Sequence, residues 1–132
     1  MAIKKFVEAA RTWLAMRRPV QAPHGLRAKF LLTFNDLLIG TLSVEDGVWK
    51  VEYSDEFRQR GSLRPLVEFP DVNGSYESEE LWQFFASRIP STEQAEVEAI
   101  LKKENISEDD AIGLLRRFGT RTTSNPFKLR AA

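Results

Sequence analysis

The sequence predicts an α+β fold: a small antiparallel sheet or partly open barrel followed by about three helices packed on it, with an extra amphipathic helix at the N-terminus. Three observations predict it. Runs rich in Phe, Leu, Thr, Ile and Val, broken by short turn signals, fill residues 28–53, as strands of a meander do. Beyond residue 78 the apolar residues recur at helical spacing, and Ser or Thr precedes each such run, which is how helices start. Strands first and helices afterwards is the order of an α+β domain.

In residues 3–18, Ile3, Phe6, Val7, Ala10, Trp13 and Leu14 recur at helical spacing, while Lys4, Lys5, Glu8 and Arg11 lie off that stripe, the pattern of an amphipathic helix. Pro19 ends it, and residues 19–25, with Pro23 and the sole histidine His24, read as a linker. This divides the chain into a helix and linker over 1–25 and a domain over 26–132. Residues 28–35 and 37–44 form a hairpin around Asn35-Asp36. Glu45-Asp46-Gly47 turns into residues 48–53, where Val48, Lys50 and Glu52 alternate with Trp49, Val51 and Tyr53, so a half-buried third strand is expected. Residues 54–61 read as one helical turn capped by Ser54 or Asp55, residues 63–69 as a short strand closed by Pro70, and residues 71–76 as loop. Ser78 is the expected N-cap of a helix to about Arg88, Thr92 of one to about Lys103, and Ser107 of one to Phe118, with Gly119 as its stop. After a loop over 120–125, residues 126–129 are expected to return as an edge strand.

At 132 residues, with 42% hydrophobic and 29% charged residues, the chain suits one globular domain that buries roughly two-thirds of its unfolded surface. The absence of cysteine excludes disulfides, thiolate metal sites and a cysteine nucleophile, and fits a reducing cytoplasm. No apolar run approaches the ~18 residues that span a bilayer, and the stretch after Lys4 and Lys5 is broken by Glu8 and Arg11. A chain neither secreted nor membrane-spanning is expected. The net charge is zero but sorted: residues 1–29 carry seven Lys or Arg against Glu8 alone, residues 45–110 carry seventeen acids against seven bases, and residues 111–132 carry five bases and no acid. Such sorting suits steering toward a partner with complementary patches, or a plainly solvated surface.

The seven glycines stand singly, so no phosphate-cradling loop is present and no cofactor is expected. His24 has no second histidine to share a metal. The carboxylates Glu77, Glu79 and Glu80, and again Glu108, Asp109 and Asp110, fall at or before first helical turns, where the helix dipole favours negative charge. Arg116, Arg117, Arg121, Lys128 and Arg130 lack the interleaved aromatics of a nucleic-acid face, so no sequence-specific nucleic-acid binding is expected. On a helix over 78–88, Leu81, Trp82, Phe84, Phe85, Ala86 and Ile89 make an apolar arc wider than the roughly 100° stripe that a sheet covers. Either a neighbouring helix covers the excess, or one aromatic, Trp82 by preference, projects as an anchor for a partner.

The order Leu38-Ile39-Gly40-Thr41-Leu42, Val51-Glu52-Tyr53, Arg64-Pro65-Leu66-Val67-Glu68-Phe69-Pro70 and Leu81-Trp82-Gln83-Phe84-Phe85-Ala86-Ser87-Arg88-Ile89-Pro90 resembles the N-terminal subdomain of HipA-like toxin kinases. The resemblance covers about residues 28–118, and Arg64-Pro65-Leu66 and the stretch from Phe84-Phe85 to Pro90 are its most specific pieces. The sequence departs from the family at Gly119-Thr120-Arg121-Thr122-Thr123-Ser124-Asn125-Pro126-Phe127, where an acidic, glycine-bearing segment is usual, and at residues 3–18, which the subdomain does not account for. No kinase phosphate loop, catalytic Asp or metal-binding Asn is present to carry over.

A free-standing version of this subdomain resembles the small HipS-like antitoxins of HipBST-type systems. The resemblance implies a non-catalytic cytoplasmic bacterial protein that binds and inhibits a HipA-like serine/threonine kinase, a shortened HipT-like toxin, and that joins a HipB-like DNA-binding protein in a larger complex. The residues expected at the partner surface are Trp82, Phe85, Arg88 and Arg64. The competing expectations are a structural subunit that completes the kinase, and an adaptor anchored to a membrane or nucleic acid through the basic residues of 3–18.

Overall fold

A computed structural model of the chain describes residues 20–61, 63–123 and 125–132, so the helix expected over 3–18 lies outside the described residues. Five strands form one open antiparallel sheet: β1 (Ala28–Phe34), β2 (Leu37–Glu45), β3 (Val48–Tyr53), β4 (Ser75–Ser78) and β5 (Lys128–Ala131), in the order β4-β3-β2-β1-β5. Four helices accompany it: α1 (Asp55–Arg60), α2 (Gln83–Ala86), α3 (Ala95–Lys103) and α4 (Ala111–Phe118). The class is α+β, as the sequence predicts.

Both hairpins form where the turn residues favour them. Asn35 and Asp36 both adopt positive φ, 46° and 68°, as do Asp46 and Gly47, 51° and 76°, the backbone that a two-residue hairpin needs to match strand twist. Cross-strand rows then fall on a common face. Phe30, Leu42, Val51 and Tyr76 are successive partners, as are Val44, Trp49 and Ser78. The first row and its neighbours supply the core, in which Phe30, Ile39, Leu42, Val44 and Trp49 are buried. Gly40 sits between Leu32 and Tyr53 in the ladder, and a Cβ there would strike the Glu52 carbonyl. Only glycine lets β2 and β3 approach this closely.

Ser54 caps α1 by accepting from Phe57 N at 3.0 Å, as expected. Two of the other three N-caps stand three or two residues later than their sequence candidates. Asp110, not Ser107, caps α4 by accepting from Gly113 N at 3.0 Å, and Gln94, not Thr92, precedes α3. Helix α3 closes in a Schellman motif: Asn105 has φ 55°, Ile106 N donates to Leu101 O at 2.9 Å, and Asn105 N donates to Lys102 O at 3.4 Å. The motif folds Ile106 back on a second, smaller cluster of Val97, Leu101 and Leu114, against which Ile89 and Phe118 also pack.

Three expectations are corrected. Residues 63–69 are not a strand. Pro65 and Pro70 have no N–H to offer a ladder, and the chain instead reverses between Leu66 and Phe69, whose N donates to Leu66 O at 2.9 Å. Residues 71–76 are not wholly loop, because β4 begins at Ser75 and pairs with β3. The helix expected from Ser78 to Arg88 shrinks to Gln83–Ala86. Its would-be first turn is taken by a long-range pairing with residues 20–22: Ala22 N donates to Glu79 O at 2.8 Å and Leu81 N to Val20 O at 2.7 Å. Residues 20–22 are therefore tied to the domain, with Ala22 in the core, and Glu77, Glu79 and Glu80 lie outside any first helical turn.

Candidate partner-binding surface

Tyr53 ends β3 with a buried ring stacked on Phe57, centroids 4.8 Å apart. Its hydroxyl donates to Phe69 O at 2.6 Å and accepts from Leu66 N at 2.8 Å. Burial pushes the phenol's pKa up, against the smaller opposing effect of the Leu66 hydrogen bond, so at neutral pH it holds the proton that it donates. One side chain thus clasps both ends of the turn over residues 66–69. The consequence is at the apex: Val67 stands 96% exposed, next to exposed Pro65 and Glu68, while Phe69 is driven to 0% exposure.

Phe69 is the bridge to the second part of the surface. Trp82 meets it edge-on, centroids 5.2 Å apart at 80°, and Tyr76 and Phe85 flank it at 5.1 and 6.2 Å. Trp82 has φ −60° and ψ 148° and precedes α2 rather than lying in it, so its direction is set by extended backbone and not by helical angle. It is half-buried: one part of the ring rests on the core, the other faces solvent, and its indole makes no hydrogen bond to a described residue. Arg64 is exposed and makes no ion pair among the described residues.

The other two candidates turn inward. Phe85 is 1% exposed, between Phe69 and Phe84. Arg88 is 4% exposed, and its guanidinium donates to Gly119 O at 3.0 Å, Asn125 Oδ1 at 3.1 Å and Phe127 O at 3.0 Å, with Phe84 5.6 Å beneath its carbon. All three acceptors are neutral, and burial lowers the pKa to about 10, which leaves the group charged near neutrality. Arg88 ties α2 to the segment leading into β5, and neither it nor Phe85 offers surface in the free domain. Of the four, Trp82 and Arg64 are brought to the outside, with Val67 between them in chain order.

Sequence reading passes over Val67 and Tyr53. The alternation of Leu63 to Phe69 hides Val67 inside an apparent strand, although prolines at both 65 and 70 signal a turn. His24, read as a loop residue, is exposed with its ring against Gly47, where a Cβ would lie 2.5 Å from the imidazole.

The arrangement can do recognition chemistry. An exposed aliphatic apex, a half-buried indole and an exposed guanidinium are the constituents of an interface, with no reacting group among them. A family model described as the HipA N-terminal domain matches residues 31–123, from β1 to the loop after α4 and short of β5. None of the curated proteins matches the chain.

Proposed function

The chain belongs to the HipA N-terminal domain family, and from that premise we propose that it is a non-catalytic antitoxin that binds and restrains a HipA-like serine/threonine kinase. The domain packs on the kinase N-lobe as a covalently attached subdomain would, and the surface built from Val67, Trp82 and Arg64 meets the kinase. The setting is the bacterial cytoplasm, with a HipB-like DNA-binding protein as a further member of the complex. The single observation that carries this reading is the family match over residues 31–123. What supports the choice of surface is Val67, a large aliphatic side chain held 96% exposed by a turn that a buried tyrosine clamps. Trp82, half-buried against the same Phe69 that closes the turn, would be the aromatic anchor of such a contact.

Among the described residues no helix is long and apolar enough to cross a membrane. Arg64 at the rim and Val67 at the centre suit a partner pocket that is apolar inside and acidic at its edge. Co-expression with the cognate kinase tests the proposal: growth arrest caused by the kinase should be relieved by this chain. Deeper arrest on co-expression would show instead a subunit that completes the kinase.

A further inference from the structure

Two basic stretches far apart in the chain meet on one side of the sheet. β1 and β5 pair antiparallel with Leu31 opposite Arg130 and Thr33 opposite Lys128, and Ala132 N donates to Lys29 O at 2.9 Å. Side chains alternate along a strand, and Phe30, Leu32 and Leu129 are buried. Lys29, Lys128 and Arg130 therefore share the opposite face, where all three are exposed. Arg121, also exposed, joins them at the rim, because Leu129 N donates to Thr120 O at 3.0 Å and so holds the loop after α4 against β5. We propose that this face of β1 and β5 binds the phosphate backbone of duplex DNA, without regard to base sequence.

Charge is the first argument. None of the four cations makes an ion pair among the described residues, and neither β1 nor residues 111–132 contain Asp or Glu. Lys50 and Glu52, further across the same face, neutralise each other at 3.1 Å. Acids gather elsewhere, with Glu93, Glu98 and Glu108 around a groove beside α3. A chain of zero net charge thus turns a cationic strip to its surroundings, the complement of a polyanion.

The make-up of the face selects among polyanions. Half-buried Thr33, Thr41 and Ser43 stand between and beside the cations, and their hydroxyls are phosphate donors. No aromatic ring lies on this face for unpaired bases to stack on, which argues against a single strand. Leu26 and Val67, the exposed large hydrophobics among the described residues, lie off the face, so it has nothing to sink into lipid. A five-stranded sheet is roughly 20 Å across at ~4.8 Å per strand spacing, too broad to enter a major groove ~12 Å wide face-on. Contact therefore stays with the phosphates. The face lies across the sheet from buried Tyr53, which clamps the Val67 turn, so it does not depend on the kinase.

Fluorescence anisotropy of a short labelled duplex of mixed sequence, titrated with the full chain in the absence of kinase, reads the contact. Wild type should bind at about 50 mM salt, and binding should fall steeply toward about 200 mM. Lys29→Glu, Lys128→Glu and Arg130→Glu together should weaken binding at least ~tenfold and flatten the log-log salt slope by about 2 to 3. Residues 3–18 are also basic, so the location is read separately in the wild type: on adding duplex, the largest amide shifts are expected at Lys29, Leu31, Thr41 and Arg130. That mapping decides the matter even where the triple variant does not fold. Wild type that ignores the duplex, a folded triple variant that binds as tightly as wild type, or shifts centred elsewhere on the domain overturns the proposal. So does tighter binding to phosphatidylserine vesicles than to the duplex.

Discussion

Two side chains set the local geometry, and each makes a distinct prediction about pH. The Tyr53 hydroxyl both donates to Phe69 O and accepts from Leu66 N, so Tyr53→Phe leaves two backbone groups without their partner and should cost ~1–3 kcal/mol at neutral pH. A phenol whose folded pKa is raised above its ordinary 10.0 stabilises the fold fully below pH 10, and the contribution fades as pH climbs through the folded value. The gap in melting temperature between wild type and Tyr53→Phe should therefore be constant from pH 6 to 9 and narrow above pH 10. Arg88 behaves oppositely. Burial pushes its folded pKa below the ordinary guanidinium value, to about 10, so stability would rise with pH only above that folded value, up to the ordinary one, and is flat below it. Arg88→Ala orphans the Gly119 and Phe127 carbonyls, and a loss of ~3 kcal/mol is expected, equal at pH 6 and pH 9 in urea denaturation. Arg88→Lys should rescue little, because one ammonium does not span the acceptors that a guanidinium fork reaches.

At the level of elements, caps separate what the sequence signals from what the fold uses. Asp110→Ala removes the bond to Gly113 N and should cost ~1 kcal/mol, whereas Ser107→Ala and Thr92→Ala should stay within ~0.5 kcal/mol by thermal melting. The same contrast explains what was legible. Both hairpins were, because Asn35-Asp36 and Asp46-Gly47 carry their backbone preference locally. So were the last helix and the final edge strand. The helix expected over 78–88 was not, because its opening residues bond to Val20 and Ala22, some sixty positions away, and no local window records that competition. The strand expected over 63–69 fails for a related reason: a hydroxyl from β3, not a neighbouring strand, takes Leu66 N. At the surface, the structure leaves Trp82 half-buried and Arg64 exposed. Phe85 and Arg88 were expected at the partner surface, but Phe85 packs into the core and the Arg88 guanidinium turns in to bond Gly119, Asn125 and Phe127.

For the whole molecule, the fold divides into a sheet that supplies the core, a turn and a tryptophan brought together over Phe69, and a smaller helical cluster bearing an acidic groove. The HipA N-terminal domain family match over residues 31–123 takes in most of all three, leaving out β5 and the start of β1, and the second is the surface proposed to meet the kinase. Because Val67 is 96% exposed, it can be altered with little effect on the fold, which separates binding from folding more cleanly than Trp82, whose ring also rests on Phe69. The decisive measurement is the dissociation constant of the cognate HipA-like kinase for Val67→Glu beside wild type. A complex with the wild type is expected, with an unfolding free energy in the variant within ~0.5 kcal/mol of wild type and an affinity weaker by ~2 kcal/mol or more, roughly thirtyfold. Equal affinity for the two proteins would contradict it.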